Sequence, residues 1–334
     1  MVDPSNSAEL RTYHHIYEEA ERAELADAAV YSLEDTVTVL TRAPLGWFYR
    51  GYAVFESGRM VGEGLIVGST EDNLRTARLW AWVPPRERGR GVGRCVAVFL
   101  LGECRILGRD ILQSTAKYPF EHRDDHPYRR FAERHGFNLA NTQVERRLAL
   151  PVSDRLLTSV AAHAREKHRG YRLRTIVGPI PSDVAQGYCD VNNRLALEAP
   201  GGELHVEQNR RTPEILADQD EEIREQGRTR VTTLALDAEG TVVALSCAIV
   251  TSASEPHVDQ WSTIVRADHR GHRLGLAIKV AQIKVIQQQF PSKRFITTTN
   301  AEANAHMVAV NEALGFERFA LEGDFQRILS PIDA

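Results

Sequence analysis

The sequence predicts an α/β (α+β) protein built as two similar domains in tandem. A chain of 334 residues is long for one hydrophobic core and suits two domains of ordinary size. In each half, short strand-like runs lead into segments whose apolar residues recur with helical period. A set of residues also repeats. Val83, Arg88, Gly89 and Gly93 stand 182 positions before Val265, Arg270, Gly271 and Gly275, and Gly136-Phe137 stands 179 positions before Gly315-Phe316. One loop indel reconciles the two offsets, so a duplicated domain accounts for the repeat. The expected organisation is a first domain over 1–150, a helical linker over 151–170 and a second domain over 171–334.

The elements follow in order. A charged helix is expected from Tyr13 to Leu33, with Ile16, Ala20 and Ala23 on one face. `GYAVFE` and `MVGEGLIVG` read as two strands joined by a hairpin turn at Ser57-Gly58, and `RLWAWV` as a third strand. A loop rich in Gly and Arg opens onto the helix `RCVAVFLLGECRIL`, after which come the strand `DILQSTA`, the helix `PYRRFAERHGF` and the strand `TQVERRLAL`. The linker helix `DRLLTSVAAHAREKHR` is closed by Gly170. Next come a helical stretch over 181–198, the strands `VTTLALD`, `VVALSCAIV` and `DQWSTIV`, a second Gly/Arg loop and the helix `LAIKVAQIKVIQQQ`. The strand `KRFITTT`, the helix `ANAHMVAVNEALGF` and the strand `FERFALEGD` complete the second copy. The polar stretch 198–211, `EAPGGELHVEQNRR`, reads as a loop that could hold substrate.

Composition narrows the function. With 43% hydrophobic and 26% charged residues the chain reads as a globular protein. A net charge of −4 argues against nucleic acid as the main partner. No apolar run approaches the length of a membrane span, and the N-terminus does not read as a secretory signal, so a cytoplasmic protein is expected. Cys95, Cys104, Cys189 and Cys247 are scattered without metal-ligand spacing, and no metal site is expected.

The two loops carry the chemistry. N–H groups at a helix start have no internal partner, and the peptide dipoles add positive charge there. A preceding loop of glycines lets a pyrophosphate lie against those amides. Gly89, Gly91 and Gly93 supply bare backbone, while Arg88, Arg90 and Arg94 offer charge-assisted contacts to phosphate oxygens. A dinucleotide fingerprint is the rival reading. The spacing here is GxGxG rather than GxGxxG, and the loop follows a third strand rather than a first.

Arg88-Gly89-Arg90-Gly91-Val92-Gly93 between a strand and a helix, followed about 45 residues later by a helix ending in Gly136-Phe137, resembles the GNAT superfamily of acetyl-CoA-dependent N-acetyltransferases. Two copies make the layout similar to tandem GNAT proteins, and the resemblance covers nearly the whole chain. It implies that each domain is a mixed, mostly antiparallel central sheet flanked by helices. It also implies acetyl-CoA as cosubstrate, a small-molecule amine as acceptor and a monomer or homodimer. The implied cofactor-binding residues are Val83, Arg88, Gly89, Arg90, Gly91, Val92, Gly93 and Arg94 in the first copy. Val265, Arg270, Gly271, His272, Arg273, Leu274, Gly275 and Asn304 are those of the second.

The copies depart from the family pattern in opposite ways. Family members commonly carry an Asn that contacts the cofactor and a Tyr that protonates the leaving thiolate, eleven and four residues before Gly-Phe. The second copy has Asn304 and Asn311 at these places, and the first has Asp125 and Ala132. In the loops the order reverses, because Arg273 replaces the middle glycine of the second copy. Chemistry is therefore expected in the C-terminal domain, with Asp259, Glu302 and Asn311 as candidate catalytic residues. Glu302 also suits a helix N-terminal acid, Asp259 a solvated strand end, Asn300 a helix cap and Asn311 a packing residue. The alternatives are a non-catalytic acyl-CoA-binding protein, or an acetyltransferase acting on a protein lysine or N-terminus.

Overall fold

The computed structural model describes residues 1–42 and 44–330. Along the chain the elements run α1 (Ser7–Arg22), α2 (Leu33–Thr41), β1 (Trp47–Glu56), β2 (Arg59–Ser69), β3 (Thr76–Trp82), α3 (Val92–Ile106), β4 (Ile111–Tyr118), α4 (Pro127–Arg134) and β5 (Asn138–Ala149). They continue as α5 (Asp154–Arg165), β6 (Arg172–Val177), α6 (Ser182–Asn192), α7 (Leu195–Glu198), α8 (Pro213–Glu225) and β7 (Thr229–Leu236). The last are β8 (Val242–Val250), β9 (His257–Val265), α9 (Leu274–Gln289), β10 (Phe295–Ala301), α10 (Ala305–Leu314) and β11 (Glu317–Ile328).

The chain forms two compact units that are not contiguous in sequence. Unit 1 comprises Met1–Gln143, Gly201–Glu207 and the chain from Ala320, whereas unit 2 comprises Val144–Pro200 and Gln208–Phe319.

In unit 1 the strand order is β1-β2-β3-β4-β11. β1-β2, β2-β3 and β4-β11 pair antiparallel, and β3-β4 pair parallel. On one face α3 buries Val96, Leu100, Leu101 and Cys104 against Leu79, Leu112 and Phe325. On the other, α1 buries Leu10, Tyr13 and Ile16 against Met60 and Ala53, and the Tyr13 hydroxyl donates to the Gly64 carbonyl at 2.9 Å. Each buried aliphatic side chain of this kind contributes about 1.5–3 kcal/mol.

Unit 2 repeats the pattern. Its order is β10-β9-β8-β7-β6, antiparallel except for the β9-β10 pair. α6 and α8 cover one face with Val184, Tyr188, Leu216 and Ile223, packed on Leu234, Leu245 and Ile249. α5, α9 and α10 cover the other, with Leu157, Val160, Ile283, Ile286 and Leu314 around Val231, Val258 and Ile296.

Several local outcomes differ from the periodicity. The helix expected over 13–33 stops at Arg22, and a separate helix, α2, begins at Leu33, where the Ser32 hydroxyl accepts from the Asp35 N–H while the Asp35 carboxylate accepts from the Ser32 N–H in a capping box. The helical stretch over 181–198 divides into α6 and α7. α8 was not anticipated, although Thr212 as N-cap with Pro213 at the first helical position is a legible start signal.

Candidate functional site

In unit 1 the parallel register of β3 and β4 runs from Thr76↔Ile111 to Arg78↔Gln113 and stops, although β3 continues to Trp82 and β4 to Tyr118. The strands therefore part toward the end of β3 that feeds the glycine loop. Across that gap the Trp80 indole N–H donates to the Thr115 hydroxyl at 3.0 Å. Gly89 and Gly91 take φ of 74° and 88°, and a Cβ placed on either would meet no atom within 4 Å. The left-handed backbone explains the glycines, and the open space above them leaves the amides bare. α3 starts at Val92 with Gly91 as N-cap and no side chain capping it, so its first N–H groups remain available to an anion. This cradle fits a diphosphate.

Two of the loop arginines brace the loop. Arg88 donates from Nε to the Val83 carbonyl at 3.1 Å, from Nη1 to Glu24 at 3.0 Å and from Nη2 to the Tyr128 hydroxyl at 2.9 Å. Arg90 reaches Glu56 at 2.6 Å and Glu87. The Glu87 carboxyl, which Arg59 and Arg90 both approach, is held below the usual carboxylate range, chiefly by the Arg59 hydrogen bond. Arg94, exposed on the first turn of α3, makes no hydrogen bond or ion pair among the described residues.

Unit 2 builds the same backbone from different residues. Arg270 donates from Nε to the Val265 carbonyl at 3.3 Å, matching Arg88 and Val83, and pairs with Glu198. Gly271 has φ 84°, and Arg273 holds the left-handed conformation with φ 55° as the N-cap of α9. His272 hydrogen-bonds through Nδ1 to the Lys167 carbonyl at 3.1 Å. The parallel register of β9 and β10 runs from His257↔Phe295 to Gln260↔Thr298 and then stops.

One backbone feature separates the two gaps. The β8-β9 register passes from Cys247↔Ser262 to Ala248↔Gln260, so Trp261 is left over and forms a β-bulge where the gap begins. The Gln260 side-chain amide donates there to the Cys247 carbonyl at 2.7 Å and the Ser262 carbonyl at 3.1 Å. The β2-β3 register, from Glu63↔Trp82 to Val67↔Arg78, runs without interruption.

The candidate catalytic residues are not gathered together. Asp259 lies in the paired part of β9, opposite Thr297, where it accepts from Arg228 at 2.9 Å and stands 3.5 Å from His257 Nε2. Glu302 is exposed in the turn that follows β10. Asn304 caps α10, accepting from the Met307 N–H at 3.2 Å. Asn311 is fully buried and accepts from Lys279 Nζ at 2.6 Å, while its own Nδ2 donates to Asn300 Oδ1 at 2.6 Å. Asn300 thus bonds to Asn311, and Asn304 rather than Asn300 is the cap. The stretch 198–211 divides between the units. In unit 1, His205 donates its N–H to Gln326 at 2.7 Å and accepts from Gln113 at 2.8 Å.

Sequence reasoning missed one buried ionisable group, Lys279, whereas a second, Glu63 in `VGEGLIV`, is a possible base on sequence alone. Lys279 on α9 is 1% exposed, and burial pushes its ammonium down to about 7. Glu63 on β2 is fully buried with neither carboxylate oxygen hydrogen-bonded, and desolvation raises its pKa well above the ordinary value. The 182-residue offset could have flagged Lys279, since it sets that residue opposite Ala97, as it sets Glu63 opposite Leu245.

Among the described residues no group of three His, Cys, Asp or Glu side chains could hold a metal ion, and no helix is long and apolar enough to cross a membrane.

No protein-family model matches the sequence, and no curated protein matches it. Solved structures do match. A tandem GNAT protein from the clavulanic acid biosynthesis pathway, solved without AcCoA, shares 24% identity over 98% of this chain and 97% of its own, with a TM-score of 0.78. A GCN5-related N-acetyltransferase from Sphaerobacter thermophilus shares 14% identity over 98% and 94%, with a TM-score of 0.67. The GCN5-related glucosamine N-acetyltransferase region of a fungal multi-domain GH3 beta-N-acetylglucosaminidase shares 16% identity over 93% of this chain and 36% of that one, with a TM-score of 0.61. The chain has the tandem GNAT fold.

Proposed function

We propose that the chain is an acyl-CoA-dependent N-acetyltransferase that moves acetyl from acetyl-CoA to a primary amine of a small molecule, with the transfer in unit 2. The observation that carries this reading is the loop Arg88–Gly93, whose left-handed glycines open bare amides at the head of α3 beside two parting strands. Diphosphate binding at that place suits coenzyme A, and Arg94 is positioned to add a charge-assisted contact. In unit 2 the corresponding cradle is Arg270–Gly275, with Val265 ending the strand before it and Asn304 heading α10.

Transfer is assigned to unit 2 because of the bulge at Trp261. An unpaired residue at the start of the gap turns backbone groups out of the ladder, and backbone N–H donors there would stabilise the oxyanion of a thioester under attack. Unit 1 has an uninterrupted ladder and a Trp80–Thr115 bond across its gap. At neutral pH an amine must lose a proton before it attacks. Glu302, exposed at the end of β10, takes that proton directly or through water, while Asp259, engaged by Arg228, holds the wall of the gap.

Calorimetric titration with acetyl-CoA tests the premise, and the expected result is one or two sites. Gly91→Arg should weaken the unit 1 site by about tenfold, or 1.4 kcal/mol. Coenzyme A release across a panel of primary amines then tests transfer, and Glu302→Gln should slow it by about a hundredfold. A protein that binds no acetyl-CoA would overturn the reading. One that binds it tightly but releases no coenzyme A with any amine would favour a binding protein.

A further inference from the structure

We infer that Lys279 is the acid that protonates the thiolate leaving from acyl-CoA in unit 2, an inference that rests on the acyl-transfer reading above. The starting observation is a buried lysine without an ion pair. Lys279 Nζ bonds to Asn311 Oδ1 at 2.6 Å and lies 4.9 Å from the centre of the Phe316 ring, and among the described residues no carboxylate pairs with it. An ammonium has three N–H donors, and one acceptor leaves two unused.

The duplicated domain shows that the fold does not need this group. At the offsets of 182 and 179, unit 1 has Ala97 and Ala132 where unit 2 has Lys279 and Asn311. Ala97 is buried on α3, and Ala132 packs on the core of unit 1, so both aligned positions are apolar there. A buried cation in place of a methyl group carries a desolvation cost that the scaffold alone does not require.

The hydrogen bonds also lead toward the gap. Asn311 Nδ2 donates to Asn300 Oδ1, and Asn300 stands on β10 two residues beyond Thr298, the last residue paired with β9. Ile296 packs in the core beneath α9 and α10, so strand alternation puts Asn300 on that same face. Lys279, Asn311 and Asn300 therefore form a polar path from α9 to the edge where the strands part.

The chemistry balances. The amine nitrogen forms its bond to the thioester carbon, the C–S bond breaks with its electron pair going to sulfur, and Lys279 delivers a proton to that sulfur. The resulting neutral Lys279 regains a proton from solvent, which receives the one lost by the attacking nitrogen. An alkyl thiol ionises near about 8.5. Lys279, lowered to about 7 by burial alone with no charged group on α9, α10 or β10 contributing, is the stronger acid, so the transfer runs downhill.

The test installs in unit 2 the pair that unit 1 already has. The double variant Lys279→Ala/Asn311→Ala is expected to fold and bind acetyl-CoA within about threefold of the parent, but to lose turnover by about 10²–10⁴-fold. In the parent, turnover should fall as pH rises through about 7, and Lys279→Met should abolish that limb. An independent readout needs no turnover: in the parent labelled at lysine Cε, the resonance missing from Lys279→Met should titrate near neutrality and shift on saturation with coenzyme A. Retained turnover with an unchanged pH limb would overturn the inference, as would a Lys279 resonance indifferent to coenzyme A. Absence of transfer in the parent itself would instead overturn the functional reading, and the resonance would still report whether Lys279 senses the thiol.

Discussion

The gaps of the two units share a backbone and differ in what is buried beside it. Both loops place an arginine Nε on the carbonyl of the valine where the strand gives way to the loop, and both set left-handed residues at the same two positions. The interior diverges at aligned positions. Unit 1 has Glu63 and Ala97 where unit 2 has Leu245 and Lys279, so each buries one ionisable group where the other buries an aliphatic one. A coupled exchange also occurs. Gly64 and Leu100 lie in unit 1, where a Cβ on the glycine would come within 2.8 Å of the leucine, and Ser246 and Gln282 hydrogen-bond at 2.8 Å in unit 2. Shared positions thus set the scaffold, and the divergent ones bury different groups within it.

The largest expected effect tests how unit 1 is assembled. Phe325 is encoded after all the helices of unit 2 yet lies buried in the core of unit 1. Phe325→Ala should destabilise that unit by about 3–5 kcal/mol. Three of the four tryptophans, Trp47, Trp80 and Trp82, lie in unit 1, so denaturation followed by fluorescence will report it, and a midpoint equal to the parent's would refute the assignment.

A smaller effect concerns Glu63. Replacement by leucine, the residue of unit 2, should stabilise the protein by about 1–3 kcal/mol through loss of an unsatisfied buried group. The gain should depend on pH in a defined direction. Because desolvation raises the folded pKa above the unfolded value, the folded state retains a proton that the unfolded state releases as pH rises beyond about 4.3. The parent therefore loses stability with rising pH up to the folded pKa, and Glu63→Leu should widen its advantage over that range. Urea midpoints measured between pH 4 and 8 provide the check; a constant difference would mean that Glu63 is ionised in the fold.

The smallest effect is at Arg273. Glycine, the residue of unit 1, accepts φ 55° without the steric cost borne by a side chain. Arg273→Gly should stabilise unit 2 by about 0.5–1 kcal/mol, and thermal melts that show a loss instead would mean that the arginine side chain contributes more than its strained backbone costs.

Much of the site was legible without coordinates. The repeat, the strand–loop–helix order and the glycines of the first loop are local signals, since left-handed backbone and exposed helix amides follow from residue type and order. Arg88 and Arg90 show the limit of such reading. Their charge suggests phosphate contacts, and the structure adds Glu24, Tyr128 and Glu56 as partners from other elements, at separations no spacing rule covers. The α1–α2 break and α8 were missed although Ser32-Asp35 and Thr212-Pro213 signal them.

By itself the sequence determined that the chain is duplicated, that each copy is a mixed α/β unit and that in each an arginine-bearing loop with left-handed backbone leads into a helix start. These depend on periodicity and on backbone conformations that neighbouring residues dictate. Only the tertiary structure decided that β11 from Ala320 onward and Gly201–Glu207 belong to unit 1, that Trp261 bulges at one gap and not the other, and that Lys279 is buried against Asn311. Those outcomes depend on which distant strands and helices exclude water from a given side chain, and burial of that kind is a property of the assembled core.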